Sequence, residues 1–169
     1  MKNIIFKKNG FTLVELMIAS SLAIIILGIS LSSFIALKKV AEIASTYSAL
    51  NSAVRNSMDT ISRDIRAASE VTYYSESSII IVVNRDTGPE KNTYYLQDGA
   101  IFREGAAKSM LATNISELTF VMYENDGITT TETLADAFAI DVKIIASSTV
   151  AGTPYEDGLQ TRVAMRNRW

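Results

Sequence analysis

Lys7-Lys8-Asn9-Gly10-Phe11-Thr12-Leu13-Val14-Glu15-Leu16 decides the fold, because its glycine separates a basic leader from an apolar run that continues to Leu37. Phe11 to Leu37 is 27 residues with one charge, Glu15, and the 22 residues from Leu16 to Leu37 have none. At 1.5 Å per residue those 22 span roughly 33 Å as a helix, which matches a hydrocarbon core of about 30 Å. Lys2, Lys7 and Lys8 precede the run and no basic residue interrupts it. That asymmetry predicts a cytoplasmic N-terminus with the remainder outside. A secretory signal peptide shares the basic start, but its apolar core is about 7 to 15 residues long and ends in a small-x-small site. This run is longer and ends in Ala36-Leu37-Lys38-Lys39, so the sequence favours an uncleaved membrane span.

Outward from the span, composition narrows the chemistry. The 169 residues contain 16 basic and 18 acidic side chains, no His and no Cys. A thiolate nucleophile, a Ser-His-Asp triad, a disulfide framework and a zinc site of the usual ligands are therefore excluded. Carboxylate, Lys or lone-Ser catalysis is left, and no paired acids carry a motif for it, so the sequence predicts no enzyme and no catalytic residue. Charge is segregated: residues 1–10 carry +3, residues 11–69 carry +1 and residues 70–169 carry −6. So acidic a distal part offers little to a polyanion, and direct nucleic-acid binding is not expected. Arg162, Arg166 and Arg168 are the one late basic cluster, read as solvated ends.

Nothing in the chain stops a helix early, since the first Pro is Pro89 and Gly28 is the one Gly between Phe11 and Gly88. Beyond the span, Val40, Ile43, Tyr47, Leu50, Val54, Met58, Ile61, Ile65 and Ala68 recur in steps of three and four, the signature of one apolar helix face. Lys38, Lys39, Glu42, Arg55, Asp59, Arg63, Asp64 and Arg66 fall between them, on the solvated side or its margins, with Asp59 and Arg63 in the favourable acid-then-base order. The helix is expected to run from Phe11 to about Ser69. Within the span, Gly28 and Ser20, Ser21, Ser30, Ser32 and Ser33 either permit close helix packing or carry hydroxyls that bond back to the helix backbone.

After Ala68 the pattern becomes short β-branched and aromatic runs between turn residues. Candidate strands are Val71–Tyr74, Ser78–Val83, Thr93–Leu96, Ala100–Arg103, Glu117–Tyr123, Ala137–Ala146 and Gln160–Met165. Gln97-Asp98-Gly99 is a hairpin turn. Asn84 to Asn92 reads as a longer loop containing Asp86, and Gly105 to Asn114 as an irregular or briefly helical connection. Phe138, Ile140, Val142 and Ile144 alternate with Ala139, Asp141, Lys143 and Ile145, and Leu118, Phe120 and Met122 behave likewise, as core-facing strands do. The acidic strings Glu124-Asn125-Asp126-Gly127 and Glu156-Asp157-Gly158 are taken as loops; both lack EF-hand spacing, so no metal or other cofactor is expected.

The Gly10-Phe11-Thr12-Leu13-Val14-Glu15 string and its apolar helix resemble the type III signal sequence of type IV pilins and pseudopilins. The resemblance covers roughly the first 40 residues. It implies cleavage between Gly10 and Phe11 by a membrane-embedded prepilin peptidase, N-methylation of Phe11, and a role for Glu15 in axial register against a neighbour's amino terminus. Glu15 has a plainer alternative as a snorkelling or helix-capping residue. An unpaired charge costs roughly 2.5 to 3.5 kcal/mol at the centre of a membrane helix and less toward the interface, and the partial positive charge at a helix start offsets some of it.

The implied fold is α+β, a pilin-like lollipop whose long N-terminal helix spans the membrane in its first half and packs on an antiparallel β-sheet in its second. The implied domains are a leader at 1–10, a transmembrane half at 11–37, an amphipathic half at 38–69 and a β-rich head at 70–169. Ile61-Ser62-Arg63-Asp64-Ile65-Arg66-Ala67-Ala68, Tyr73-Tyr74, Thr93 to Arg103 and Ile115 to Phe120 are similar to PilW-like minor pilins and J-type minor pseudopilins. Implied partners are other major and minor subunits, the inner membrane, and indirectly a platform protein and an ATPase. Against this stands a single-pass anchored binding module or adhesin that never polymerises.

Overall fold

A computed structural model describes residues 10–85, 88–150 and 152–166. Lys2, Lys7, Lys8, Asp86 and Arg168 lie outside the described residues. The fold is α+β: among the described residues one helix, α1 (Leu13–Ala67), is followed by eight strands. The chain divides into two units, Met1–Glu42 and Ile43–Trp169.

In the first unit, the large apolar residues of α1 are exposed on every side, with Leu13 at 78%, Ile24 at 70% and Leu37 at 68%. A helix apolar all round has no inside and no outside in water; it suits a hydrocarbon solvent or a packed interior. Its serines resolve the alternative left by sequence. Ser20 and Ser21 donate to the Met17 carbonyl, Ser30 to Ile26, Ser32 to Gly28 and Ser33 to Ile29, each at 2.7–2.9 Å. Their hydroxyls are satisfied within the helix, so the apolar surface carries no dangling donor.

In the second unit, α1 buries Leu50, Val54, Ser57, Met58, Ile61, Ser62, Asp64 and Ile65. Val40 at 62% and Tyr47 at 48% exposure leave the expected stripe, which starts in earnest at Leu50. The helix ends at Ala67, two residues before the expected Ser69, because Ala68 already pairs with Val83.

Two antiparallel sheets replace the expected one. The first has the order β1-β2-β3-β4-β5 and the second β6-β7-β8. The strands are β1 (Ala68–Ser75), β2 (Ser78–Arg85), β3 (Gly88–Gln97), β4 (Ala100–Glu104), β5 (Lys108–Thr113), β6 (Ile115–Tyr123), β7 (Ala139–Val150) and β8 (Thr153–Ala164). Both contribute to one core, where Ile61 and Ile65 of α1 join Ile79, Ile81, Phe120, Ile140 and Ile144, all fully buried. The β3–β4 hairpin turns at Asp98 and Gly99 with φ of 51° and 71°, the left-handed pair that a two-residue turn needs.

Three connections differ from expectation. Asn84–Asn92 is largely strand, with β2 and β3 paired out to Arg85 and Gly88. Lys108–Thr113 is an edge strand in which only Ala112 is buried, so it lacks the alternating apolar signal. Glu156-Asp157-Gly158 lies inside β8, opposite Ser147, Ala146 and Ile145, where no loop is free to wrap a cation.

Candidate functional site

The start of α1 is a capping box. Thr12 precedes the first helical residue; its hydroxyl accepts from the Glu15 amide at 3.2 Å and donates to Glu15 Oε2 at 3.0 Å, while its own amide donates to the same oxygen at 2.9 Å. Thr-x-x-Glu at this spacing satisfies orphan donors reciprocally. Gly10 and Phe11 therefore lie just ahead of the first turn, which carries Glu15. A Cβ at Gly10 would touch nothing within 4 Å, and Phe11 is 88% exposed, so the Gly10–Phe11 bond is sterically open. Glu15 makes the capping contact here, with its carboxylate turned back onto Thr12.

A second constellation was placed wrongly by sequence. Asp64, expected on the solvated margin, is 5% exposed and receives side chains from three strands. Its Oδ2 accepts from Tyr94 at 2.6 Å, Arg103 Nε and Nη2 at 3.0 Å each, and Asn92 Nδ2 at 3.2 Å. Its Oδ1 faces Arg85 Nη2 at 3.9 Å. Glu90 binds Arg85 and lies 3.7 Å from Arg103. Two carboxylates thus meet two guanidiniums, and the buried charge of Asp64 is balanced by partly exposed partners. Burial, then the bond to Asp64, pushes the Tyr94 hydroxyl far above its ordinary range. Close packing explains Gly105, where any Cβ would collide with the Asn92 side chain. The missed signal was spacing: Ser57, Ile61, Asp64 and Ala68 repeat at four, three and four, which puts Asp64 in the buried stripe.

The remaining charges are structural. Asp126 accepts from the Ile128 and Thr129 amides and the Thr129 hydroxyl, which holds its carboxyl below the usual range and closes its own turn. Arg162 is no loose end: it stacks 3.7 Å from the Tyr123 ring centre and donates to the Gly127 carbonyl at 2.6 Å. The helix-surface pair formed is Lys38–Glu42 at 3.8 Å. No group of three His, Cys, Asp or Glu side chains converges on a metal position among the described residues.

Residues 5–32 match the family model of the prokaryotic N-terminal methylation motif. The match centres on the capped helix start and supports a type IV pilin-like chain. No curated protein matches the sequence. The described helix Leu13–Ala67 is long and apolar enough to cross a membrane.

Proposed function

We propose that the chain is a minor pilin or pseudopilin, a non-enzymatic subunit at the assembly site or tip of a type IV pilus or of a secretion or competence pseudopilus. The observation that carries this is the methylation motif seated on a helix apolar all round. A prepilin peptidase cuts between Gly10 and Phe11, which leaves an α-ammonium beside Glu15. Methylation of Phe11 comes next. The capping box already aims the Glu15 carboxylate at the helix start, so exchange of Thr12 for a neighbour's ammonium sets axial register. The N-terminus is cytoplasmic and the head lies outside the inner membrane. Extraction into a filament by the platform protein and ATPase requires reburial against other subunits, because wetting some twenty apolar residues would cost tens of kcal/mol at about 25 cal/mol per Å².

The test is the intact mass and N-terminal sequence of membrane-extracted protein with and without an active prepilin peptidase. A chain that begins at methylated Phe11 only with the peptidase is expected. A chain that begins at Met1 in both cases would leave an anchored binding module.

A further inference from the structure

The Asp64 network opens onto a cleft of about 340 Å³ between the last turns of α1 and strands β2, β4 and β5, a volume at the small end of ligand sites, roughly 300–1,000 Å³. Three guanidiniums from three elements line it: Arg63 of α1, Arg85 of β2 and Arg103 of β4. Each guanidinium has five N–H donors, and the fold does not use them all. Arg103 commits Nε and Nη2 to Asp64 and Tyr94. Arg85 commits Nε to Glu90, while its Nη2 lies 3.9 Å from Asp64, beyond hydrogen-bond reach. Nη1 of both has no partner among the described residues. Arg63 is exposed and forms no ion pair among the described residues, since Asp59 one turn earlier is not bonded to it.

Three guanidiniums against Asp64 and Glu90 leave the cleft with one positive charge. A monoanion neutralises that charge, whereas a phosphate group, at roughly −1.5 to −2, would place unmatched negative charge beside two fixed carboxylates. A planar carboxylate also matches the fork of a guanidinium. Ala67 and Leu111, both partly buried, line the cleft beside the charges, so it suits a carboxylate carried next to an apolar side chain rather than a bare ion. Acidic residues elsewhere on the head oppose such a ligand weakly, because exposed charges more than about 8 Å away are largely screened at physiological salt.

We infer that this cleft recognises an acidic peptide, whose carboxylate bridges Arg63, Arg85 and Arg103 and whose neighbouring apolar side chain lies on Leu111. Arginine clusters read acidic motifs in this way, through paired charge-assisted bonds. Asp64 holds Arg103 through two contacts at 3.0 Å, and Glu90 holds Arg85. Both forks are therefore positioned before the ligand arrives, which lowers the ordering cost of binding. The site belongs to the head alone and stands or falls apart from the pilin assignment.

The test uses the full chain in detergent micelles, with acetyl-Leu-Glu-Leu-amide as the probe. In the unaltered chain the probe should shift the Nε–Hε resonances of Arg85 and Arg103 along a saturable curve, whereas acetyl-Leu-Gln-Leu-amide, which lacks the charge, should leave them in place. Arg63→Gln substitutes another good helix former at an exposed position outside the buried network, so the fold is kept, and it should weaken the probe about tenfold. Arg55→Gln alters an arginine that bonds Asn51 and does not line the cleft, and should bind the probe as the unaltered chain does. Unmoved resonances, or equal binding by Arg63→Gln, overturn the site. Acetate that binds as tightly as the peptide assigns the cleft to a free carboxylate and overturns the peptide. Inorganic phosphate that binds more tightly than the peptide overturns the choice of anion.

Discussion

The two halves of α1 obey opposite rules on one continuous helix. From Leu13 to Glu42 the side chains that touch nothing are apolar, and Ile24, Leu27 and Leu37 are each two-thirds exposed or more. From Ile43 to Ala67 the helix buries one stripe, and the buried carboxylate of Asp64 sits within it. Backbone hydrogen bonding is the same in both. What differs is the solvent for which each half is written: in lipid a uniform apolar surface needs no partner, whereas in water an apolar stripe needs a core and a buried charge needs a counter-charge. Helix formation is thus local here, and the location of the helix's partners is not.

The sharpest break of this contrast is Asp64→Ala. It leaves Arg103, 21% exposed at its side chain, with Glu90 at 3.7 Å in place of the closer Asp64, and removal of one partner of a buried pair costs at most about 3–5 kcal/mol. Urea unfolding of the full chain in micelles should show that loss in the head while the helical signal of the apolar half persists. A variant as stable as the parent would mean that the cluster adds nothing to the packing of α1.

Tyr94→Phe comes next, at about 1.5–3 kcal/mol for a hydrogen bond to a charged group. It also tests pH. The folded Tyr94 hydroxyl ionises well above its unfolded value of 10.0, so its contribution is full below that value and is lost as pH rises further, the unfolded chain releasing its proton first. The variant should therefore lose stability less steeply above pH ~10 than the parent. Parallel pH-stability curves would remove Tyr94 from the alkaline transition.

The smallest effect belongs to the other half. Thr12→Ala deletes the cap and should cost about 1 kcal/mol. Faster amide exchange at Val14 and Glu15, with unchanged unfolding of the head, would show that the two halves are energetically separate. A shift in the head's midpoint would show that they are not.

Much of this division was legible. The glycine junction, the uncharged run and the three-four stripe from Leu50 to Ile65 needed only local periodicity, and the Asp98-Gly99 hairpin needed only turn chemistry. Glu15 was harder, because Thr12-x-x-Glu15 is at once a capping box and part of a processing signal, and the residues alone do not rank the two. β5 escaped since an exposed edge strand has no buried face to impose alternation. Glu156-Asp157-Gly158 looked like a loop because edge strands tolerate acids and glycine that a central strand would exclude.

The sequence by itself determined the helix, its apolar first half and the β-rich character of the chain beyond Ala67, since each depends on neighbours within a few residues. Only the tertiary structure decided that the strands form two sheets, that Asp64 is interior and that Glu156-Asp157-Gly158 lies within β8. Those features depend on residues far apart in the chain: Asp64 is 39 positions from Arg103, and no local period specifies which distant guanidinium, amide or strand will arrive to share a buried charge.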